Sequence, residues 1–345
     1  MMEARLYEKK EEQTVHCFLC NQHCLIKDGK RGICRVRENR AGTLYSLSYG
    51  KLIARHVDPI EKKPLFHFLP GSISFSVATA GCNFRCLFCQ NADISQLPQE
   101  QPDLPGERAA PEAIVAAARQ TGCRSISYTY TEPTIFLEYA RDIAAPAEAQ
   151  GLKNVFVTNG YMTAEALNTM HPLLHAANVD LKAFTEEFYR KQCGARLGPV
   201  LETLQGMKRQ GIWLEITTLI IPTLNDDPEE LKDLAGFIYK ELGPDTPWHI
   251  SRFHPTFKLT HLPVTPVKTL QQARTIGQEA GLHYVYTGNV PGDDGEKTFC
   301  HRCGQLLLDR YGFSIRKNHL RAGGCPQCRT PLAGIGLDEK PLKQL

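Results

Sequence analysis

Ser74-Phe-Ser-Val-Ala-Thr-Ala-Gly-Cys-Asn-Phe-Arg-Cys-Leu-Phe-Cys89 decides the reading of this 345-residue chain. Ile73, Phe75, Val77 and Thr79 alternate with smaller or polar residues, the period of a strand, and Gly81 breaks the run. Cys82, Cys86 and Cys89 are therefore expected to leave the end of a strand and sit in a loop. Their spacing would also fit one face of a helix, where three small cysteines could simply be core. The strand pattern before them, with Asn83 and Arg85 between them, argues against that. Three thiolates in one short loop can hold three irons of a cubane cluster, which ordinarily takes four cysteines. The fourth iron then stays open to a small molecule, so the cluster can do chemistry as well as pass electrons.

Working outward, strand-like runs fall at 73–79, 124–129, 153–158, 177–182, 212–221, 247–253 and 282–287. Helical runs at 111–120, 135–150, 200–210, 228–241 and 267–280 lie between them, punctuated by Pro111, Gly151, Gly211 and Gly281. Such alternation predicts βαβ units, an α/β fold with a parallel sheet, and a closed or incomplete barrel. Ligands sit at the C-terminal ends of barrel strands, and the three-cysteine loop follows the first strand at that rim. Residues 44–57 alternate around Gly50 and predict a small hairpin. Residues 93–110, with Pro98, Pro102, Pro105 and Gly106, read as a long rim loop. The expected division is an N-terminal Cys-rich lobe (1–70), the α/β core (71–292) and a C-terminal zinc-ribbon-like lobe (293–345).

The 13 cysteines are too many and too grouped to be incidental. Cys300-x-x-Cys303 and Cys325-x-x-Cys328 have zinc-ribbon spacing, with four thiolates closing a tetrahedral structural site. Cys17, Cys20, Cys24 and Cys34 form a less standard group, read as a structural zinc or an auxiliary iron–sulfur cluster, with His16 and His23 as substitute ligands. Cys123 and Cys193 read as ordinary small residues. Forty basic against 37 acidic side chains give a net charge of +3, too mild for nucleic-acid binding by charge alone. No apolar run reaches bilayer-spanning length, and the first residues are charged. A reducing, cytoplasmic setting is expected for this many thiols without an export signal.

Phe88 before Cys89 completes Cys-x-x-x-Cys-x-aromatic-Cys, and here the chain resembles the radical S-adenosylmethionine (SAM) enzymes. The resemblance implies a partial (β/α)6-type TIM barrel, a [4Fe-4S] cluster on Cys82, Cys86 and Cys89, and SAM on the open iron. Reductive cleavage would then give methionine and a 5′-deoxyadenosyl radical that abstracts hydrogen from a substrate. It implies cofactor-binding positions at Phe88, Thr131, Glu132, Asn159 and His254, with Glu132-Pro133 in the place of the family's Gly-Gly-Glu-Pro segment and Tyr130-Thr131 where glycines are usual. Val-Asp180-Leu-Lys182 is similar to the Asp-Leu-Lys of glycyl-radical activating enzymes, which implies Asp180 and Lys182 near SAM and substrate. Read without the resemblance, Glu132 is a solvated loop carboxylate and Asp180–Lys182 a simple ion pair.

Further segments extend the similarity over nearly the whole chain. They are Cys17-Phe-Leu-Cys-Asn-Gln-His-Cys24, Gly32-Ile-Cys-Arg-Val-Arg-Glu-Asn39, Asp58-Pro-Ile-Glu-Lys-Lys-Pro-Leu-Phe-His-Phe-Leu-Pro-Gly71 and Tyr286-Thr-Gly-Asn-Val-Pro-Gly292. In these the chain resembles the radical SAM member of the AmmeMemoRadiSam system, close to pyruvate formate-lyase activating enzymes. That implies Memo-like partner proteins and a low-potential electron donor such as flavodoxin or ferredoxin, but no particular substrate. Gln90 stands where glycyl-radical activases often have His, a departure from direct glycyl-radical activation. The competing reading is a non-catalytic iron–sulfur/zinc adaptor whose cysteine lobes dock partners.

Overall fold

The residues of the first strand dictate its place. Ile73–Ala78 is buried along nearly all its length, as expected of a strand covered on both faces, and it sits inside an eight-stranded sheet. The computed structural model describes residues 1–97, 103–290 and 292–338. Residues 98–102 of the predicted rim loop, Pro291 of the 286–292 segment and residues 339–345 of the expected C-terminal lobe lie outside these. We number the parallel strands β1 (Ile73–Ala78), β2 (Ser125–Tyr128), β3 (Lys153–Thr158), β4 (Ala176–Asp180), β5 (Trp213–Ile220), β6 (Trp248–Arg252) and β7 (Val285–Gly288). They pair in chain order, β1 to β7, each parallel to the next.

Six helices make the crossovers: α1 (Pro111–Gln120), α2 (Leu137–Ala149), α3 (Ala164–Met170), α4 (Gly198–Arg209), α5 (Pro228–Phe237) and α6 (Val267–Glu279). The result is six β/α units followed by a seventh strand, the partial barrel expected from the alternation. Local chemistry starts the helices. Pro111 opens α1, and the Asp227 carboxylate before Pro228 accepts from the N–H groups of Glu229 and Glu230 at the start of α5. Ile114, Val115 and Ala118 then bury one face of α1.

Two expectations are corrected. The hairpin predicted over 44–57 does not form. Ala41 and Gly42, both at positive φ, turn the chain earlier, so Arg37–Arg40 pairs with Thr43–Ser46. The strand Ala54–Pro59 instead pairs antiparallel with β1, along its whole length, as an edge of the barrel sheet. Helix α3 and the short helix and π-helical turn at 186–193 are additions that no strong periodic pattern announced.

Residues 60–69 plug the floor of the barrel. The Glu215 carboxylate on β5 accepts from the N–H groups of Phe66 (2.9 Å) and His67 (2.7 Å), and His249 Nε2 lies 2.7 Å away. The C-terminal lobe docks on the same segment. Ile335 and Phe68 bridge, and His67 bonds Ala333 O through Nδ1 (2.7 Å) and the Tyr286 hydroxyl through Nε2 (2.5 Å). The carbonyl can only accept, so Nδ1 carries a proton, and burial, which lowers the His67 pKa to about 4, keeps the ring neutral at pH 7. Buried Arg310 donates to Phe66 O at 2.6 Å and lies over the Phe66 ring. At the other end, Arg37 Nη2 donates to both carboxylate oxygens of Glu138 on α2, both side chains fully buried, and fixes the N-terminal lobe to the barrel wall.

Candidate active site at the barrel mouth

Gly81 sets the geometry of the cysteine loop. Its φ is +99°, and a Cβ there would fall 2.6 Å from Val36 Cγ1 and 2.9 Å from Cys34 O. Only glycine lets β1 turn at once into the loop with another segment pressed against it. From that turn Cys82 and Cys86 enter buried and Cys89 half-buried. The sulfurs have neighbours that suit a charged ligand set. Phe84 N–H donates to Cys82 Sγ at 3.3 Å, Asn159 Nδ2 lies 3.8 Å from it, and the Ser95 hydroxyl is 3.1 Å from Cys89 Sγ. Thr79 Oγ1 and Asn83 Nδ2, buried in or beside the loop, have no partner.

Burial and then the charge of Glu132 push the Cys82 thiol up. For Cys86 the hydrogen bond with Cys193 acts first and burial second. Positive charge brought to these sulfurs reverses that balance. Lys182 acts in this direction on both Cys86 and Cys89. Sulfur ligands, hydrogen bonds to sulfur, a nearby cation and little water are what an iron–sulfur group requires. Cys82, Cys86 and Cys89 could hold one.

The other residues singled out by sequence converge on the same rim, with different partners. Phe88 is buried, its ring 5.7 Å from that of Phe188 and 5.7 Å from Lys182 Nζ. Lys182 Nζ bonds Asp180 Oδ2 at 2.9 Å, and Asp180 keeps 37% of its side chain exposed. Burial works against the Lys182 charge, but Asp180, Cys86 and Cys193 outweigh it and hold its pKa above the ordinary lysine value. His254 is exposed, in a stretch that returns to the loop through Lys258 N–H on Leu87 O at 2.9 Å.

Glu132 is no solvated carboxylate. It is fully buried and accepts from Thr134 N–H (3.0 Å), the Thr134 and Thr158 hydroxyls (2.6 and 2.7 Å) and Asn159 N–H (2.8 Å). Burial raises its pKa and those bonds oppose the shift. The carboxylate thus clamps the end of β2 to the end of β3. Asn159, so positioned, donates to Asn83 Oδ1 at 2.8 Å inside the cysteine loop. Tyr130 adopts φ +64°, the conformation glycine would take, and its carbonyl accepts from Asn91 Nδ2 at 2.7 Å. Its hydroxyl bonds Asp58, which also binds Lys63, an anchorage that offsets the backbone strain. Thr131 Oγ1 donates to Thr79 O at 2.8 Å.

Sequence reasoning missed Ser95 and Cys193. Cys193 ends the π-helical turn, is fully buried and meets Cys86. Its carbonyl accepts from Arg85 N–H at 2.8 Å. Nothing in local spacing links residue 193 to 86; the bulge of the turn brings it there. A separate cavity, lined by Phe66, His249, Ser251, Tyr286, Tyr311 and Phe313 among others, lies between β5–β7 and the C-terminal lobe, and none of the three loop cysteines lines it. The cysteine loop, not this cavity, carries the groups that can do chemistry.

At the C-terminus, Cys300, Cys303, Cys325 and Cys328 bring their sulfurs within 4.8 Å of one another, at 3.5 Å (Cys300–Cys328) and 3.6 Å (Cys303–Cys325) in two pairs. This closed quartet matches the site read from its spacing. His16, a substitute ligand at the N-terminus, bonds Glu8 through Nδ1 at 2.9 Å and stacks on His23.

A parallel α/β barrel with a cysteine-rich mouth defines the class: a barrel enzyme whose chemistry gathers at the strand ends. Residues 76–235 match the model of the radical SAM superfamily. An uncharacterised protein of Methanocaldococcus jannaschii is 48% identical over 316 residues, covering 92% of this chain and 93% of that one. A pyruvate formate-lyase-activating enzyme of Listeria monocytogenes is 25% identical over 182 residues, 49% of this chain and 70% of its own. Among solved structures, a domain of a pyruvate-formate lyase-activating enzyme from Bacteroides vulgatus aligns with TM-score 0.43 and 17% identity, over 48% of this chain and 99% of that domain. The chain belongs to the radical SAM superfamily. Among the described residues no helix is long and apolar enough to cross a membrane.

Proposed function

We propose that this radical SAM enzyme is the one belonging to the AmmeMemoRadiSam system, with Cys82, Cys86 and Cys89 holding its [4Fe-4S] cluster. The observation that carries the reading is the convergence on one rim of three thiols, Lys182 acting on two of them, and Asn159 held against the loop by Glu132. An adaptor has no need of convergent polar groups there. The cofactors, when bound, supply reductive cleavage of SAM to methionine and a 5′-deoxyadenosyl radical.

The chain's own residues do the rest. Phe88, packed on Phe188, walls the mouth beside Cys89 and keeps water from it. Lys182 holds positive charge against the cysteine sulfurs, and Asp180, partly exposed, orients Lys182 and faces incoming substrate. Glu132 braces the backbone at Thr134 and Asn159, beside the place where the ligand would lie, and does not reach out itself. His254, exposed just past the end of β6, is the residue on that side free to meet a ligand.

The segments running from residue 17 to residue 292 support the system assignment, and with it Memo-like partners and a flavodoxin- or ferredoxin-class electron donor in the cytoplasm. The compact C-terminal quartet supports a structural zinc there, in a lobe beginning near residue 293, beside the N-terminal lobe to about 70 and the core between. Anaerobic incubation of reduced, reconstituted protein with SAM, assayed for 5′-deoxyadenosine, tests the reading. Formation is expected; none from a reducible cluster, even with candidate partners added, would favour the adaptor.

A further inference from the structure

Cys17, Cys20, Cys24 and Cys34 surround one small enclosed cavity, as four ligands of a single group would. We propose that this quartet binds an iron–sulfur cluster and not zinc. Four thiolates on one zinc, at about 2.3 Å each, hold their sulfurs roughly 3.8 Å apart. The C-terminal quartet has that compactness. Among the described residues, only that quartet brings three or more such ligand atoms within 4.8 Å of one another. The N-terminal sulfurs, though they line a common space, stand wider. A cubane asks for that, because each thiolate takes a different iron at a different corner.

Each of the four cysteines hangs from its own anchored stretch of backbone. Cys17 and Cys24 are cross-strand partners of fixed register in the strands Val15–Cys17 and Cys24–Ile26. Cys20 bridges to Met162 at the barrel mouth, where Asn21 N–H donates to Tyr161 O at 3.0 Å. Cys34 lies in a turn closed by Arg35 N–H on Gly32 O at 2.8 Å, its carbonyl against Gly81.

The walls suit a redox group. Leu19, Ile26 and Ile135 keep the cavity apolar. Arg37 enters it fully buried, with Nη1 4.0 Å from Cys17 Sγ and an Nε that has no partner. A guanidinium N–H without an acceptor beside four sulfurs is a donor awaiting one, and N–H···S bonds with low solvent exposure are what tune cluster potentials. The site also shares its framework with the barrel mouth. Arg85 of the cysteine loop donates to Cys82 O (3.1 Å) and to Ile33 O, next to Cys34, while Gln22 Nε2 donates to Asn83 O at 2.8 Å. The ligand assignment stands apart from the reading of the mouth.

The test is iron, sulfide and zinc content with Mössbauer and electron paramagnetic resonance spectra of the full chain, reconstituted without oxygen. Wild type should carry about eight irons per chain and the Cys82→Ala/Cys86→Ala/Cys89→Ala variant about four, still as a cubane. Adding Cys20→Ala and Cys34→Ala should remove those four and leave about one zinc. An iron-free triple variant containing about two zincs would overturn the proposal. If the five-fold variant does not fold, the wild-type count decides, since about four irons with two zincs overturns it equally. Wild type with about eight irons and no 5′-deoxyadenosine would count against the barrel-mouth reading while still supporting this one.

Discussion

Each end of the chain gathers four thiols, and the two ends do so by different means. The C-terminal quartet is built within 29 consecutive residues around the antiparallel strands Leu306–Tyr311 and Ser314–Asn318, with Cys303 exposed. The N-terminal quartet is looser, more buried, and laced to the barrel mouth through Arg85, Gln22 and Gly81. A site that closes on itself can hold a lobe together without reference to its surroundings. One that leans on the catalytic loop has its geometry set partly by that loop's backbone, so a change in the turn at Gly81 reaches both sites.

The largest break in the comparison is expected from Cys86→Ala. It should abolish 5′-deoxyadenosine formation and remove the barrel-mouth iron while the C-terminal metal remains. Chromatography of the nucleoside and metal analysis read the two separately, and full iron content would take Cys86 off the ligand set.

Next come two glycines of like conformation and unlike surroundings. Gly81→Ala, at φ +99° with Val36 and Cys34 O in the way, should cost about 3 kcal/mol or more and lower iron at the barrel mouth and at the N-terminal quartet. Gly304→Ala, at φ +74° with open space around it, should cost only about 1 kcal/mol and leave iron untouched. Denaturant titration separates them; equal losses would show that the two lobes are equally coupled to the mouth.

A smaller effect is expected at the junction of the C-terminal lobe. Burial first, with Arg310 and His249 adding to it and Glu215 and the Ala333 carbonyl opposing, lowers the His67 pKa to about 4. The unfolded imidazole, at about 6.5, takes a proton that the folded one refuses. Stability is therefore present above pH 6.5 and is lost as pH falls toward 4, by on the order of 2–3 kcal/mol. Urea midpoints across this range should fall for wild type and flatten for His67→Gln; an unchanged slope in the variant would assign the loss elsewhere.

The smallest is Ser95→Ala, which removes the hydroxyl 3.1 Å from Cys89 Sγ. Iron content should hold while the midpoint potential of the barrel-mouth cluster drops by tens of millivolts, since a lost donor destabilises the more negative reduced state. An unchanged potential in voltammetry would leave the hydroxyl a packing role.

Much of this was legible in the residues, and for identifiable reasons. Strand and helix periods, with Pro111 and Gly151 as punctuation, located the β/α units because each element there obeys its own local rule. The two terminal quartets announced themselves by spacing. Competition between local signals hid the turn at Ala41–Gly42, which outweighed Gly50 and sent Ala54–Pro59 to the barrel. Nor could spacing show that Glu132 is buried and fully bonded, since its partners Thr158 and Asn159 come from the next strand. Tyr130 broke a residue rule, standing in a glycine conformation, and its compensation at Asp58 lies 72 residues away. Cys193 was hidden in the same way, by a contact that only the tertiary fold creates.

The floor of the barrel carries a consequence for how the chain is made. His67 waits for Ala333, 266 positions further along. At ribosomal speeds of about 5–20 residues per second, the interval between their emergence is on the order of 10–50 seconds. For that time the nascent barrel has walls, a mouth and the 60–69 plug, but the face of the plug at Phe66 and His67 lacks its cover. The C-terminal lobe is the bolt that shuts it.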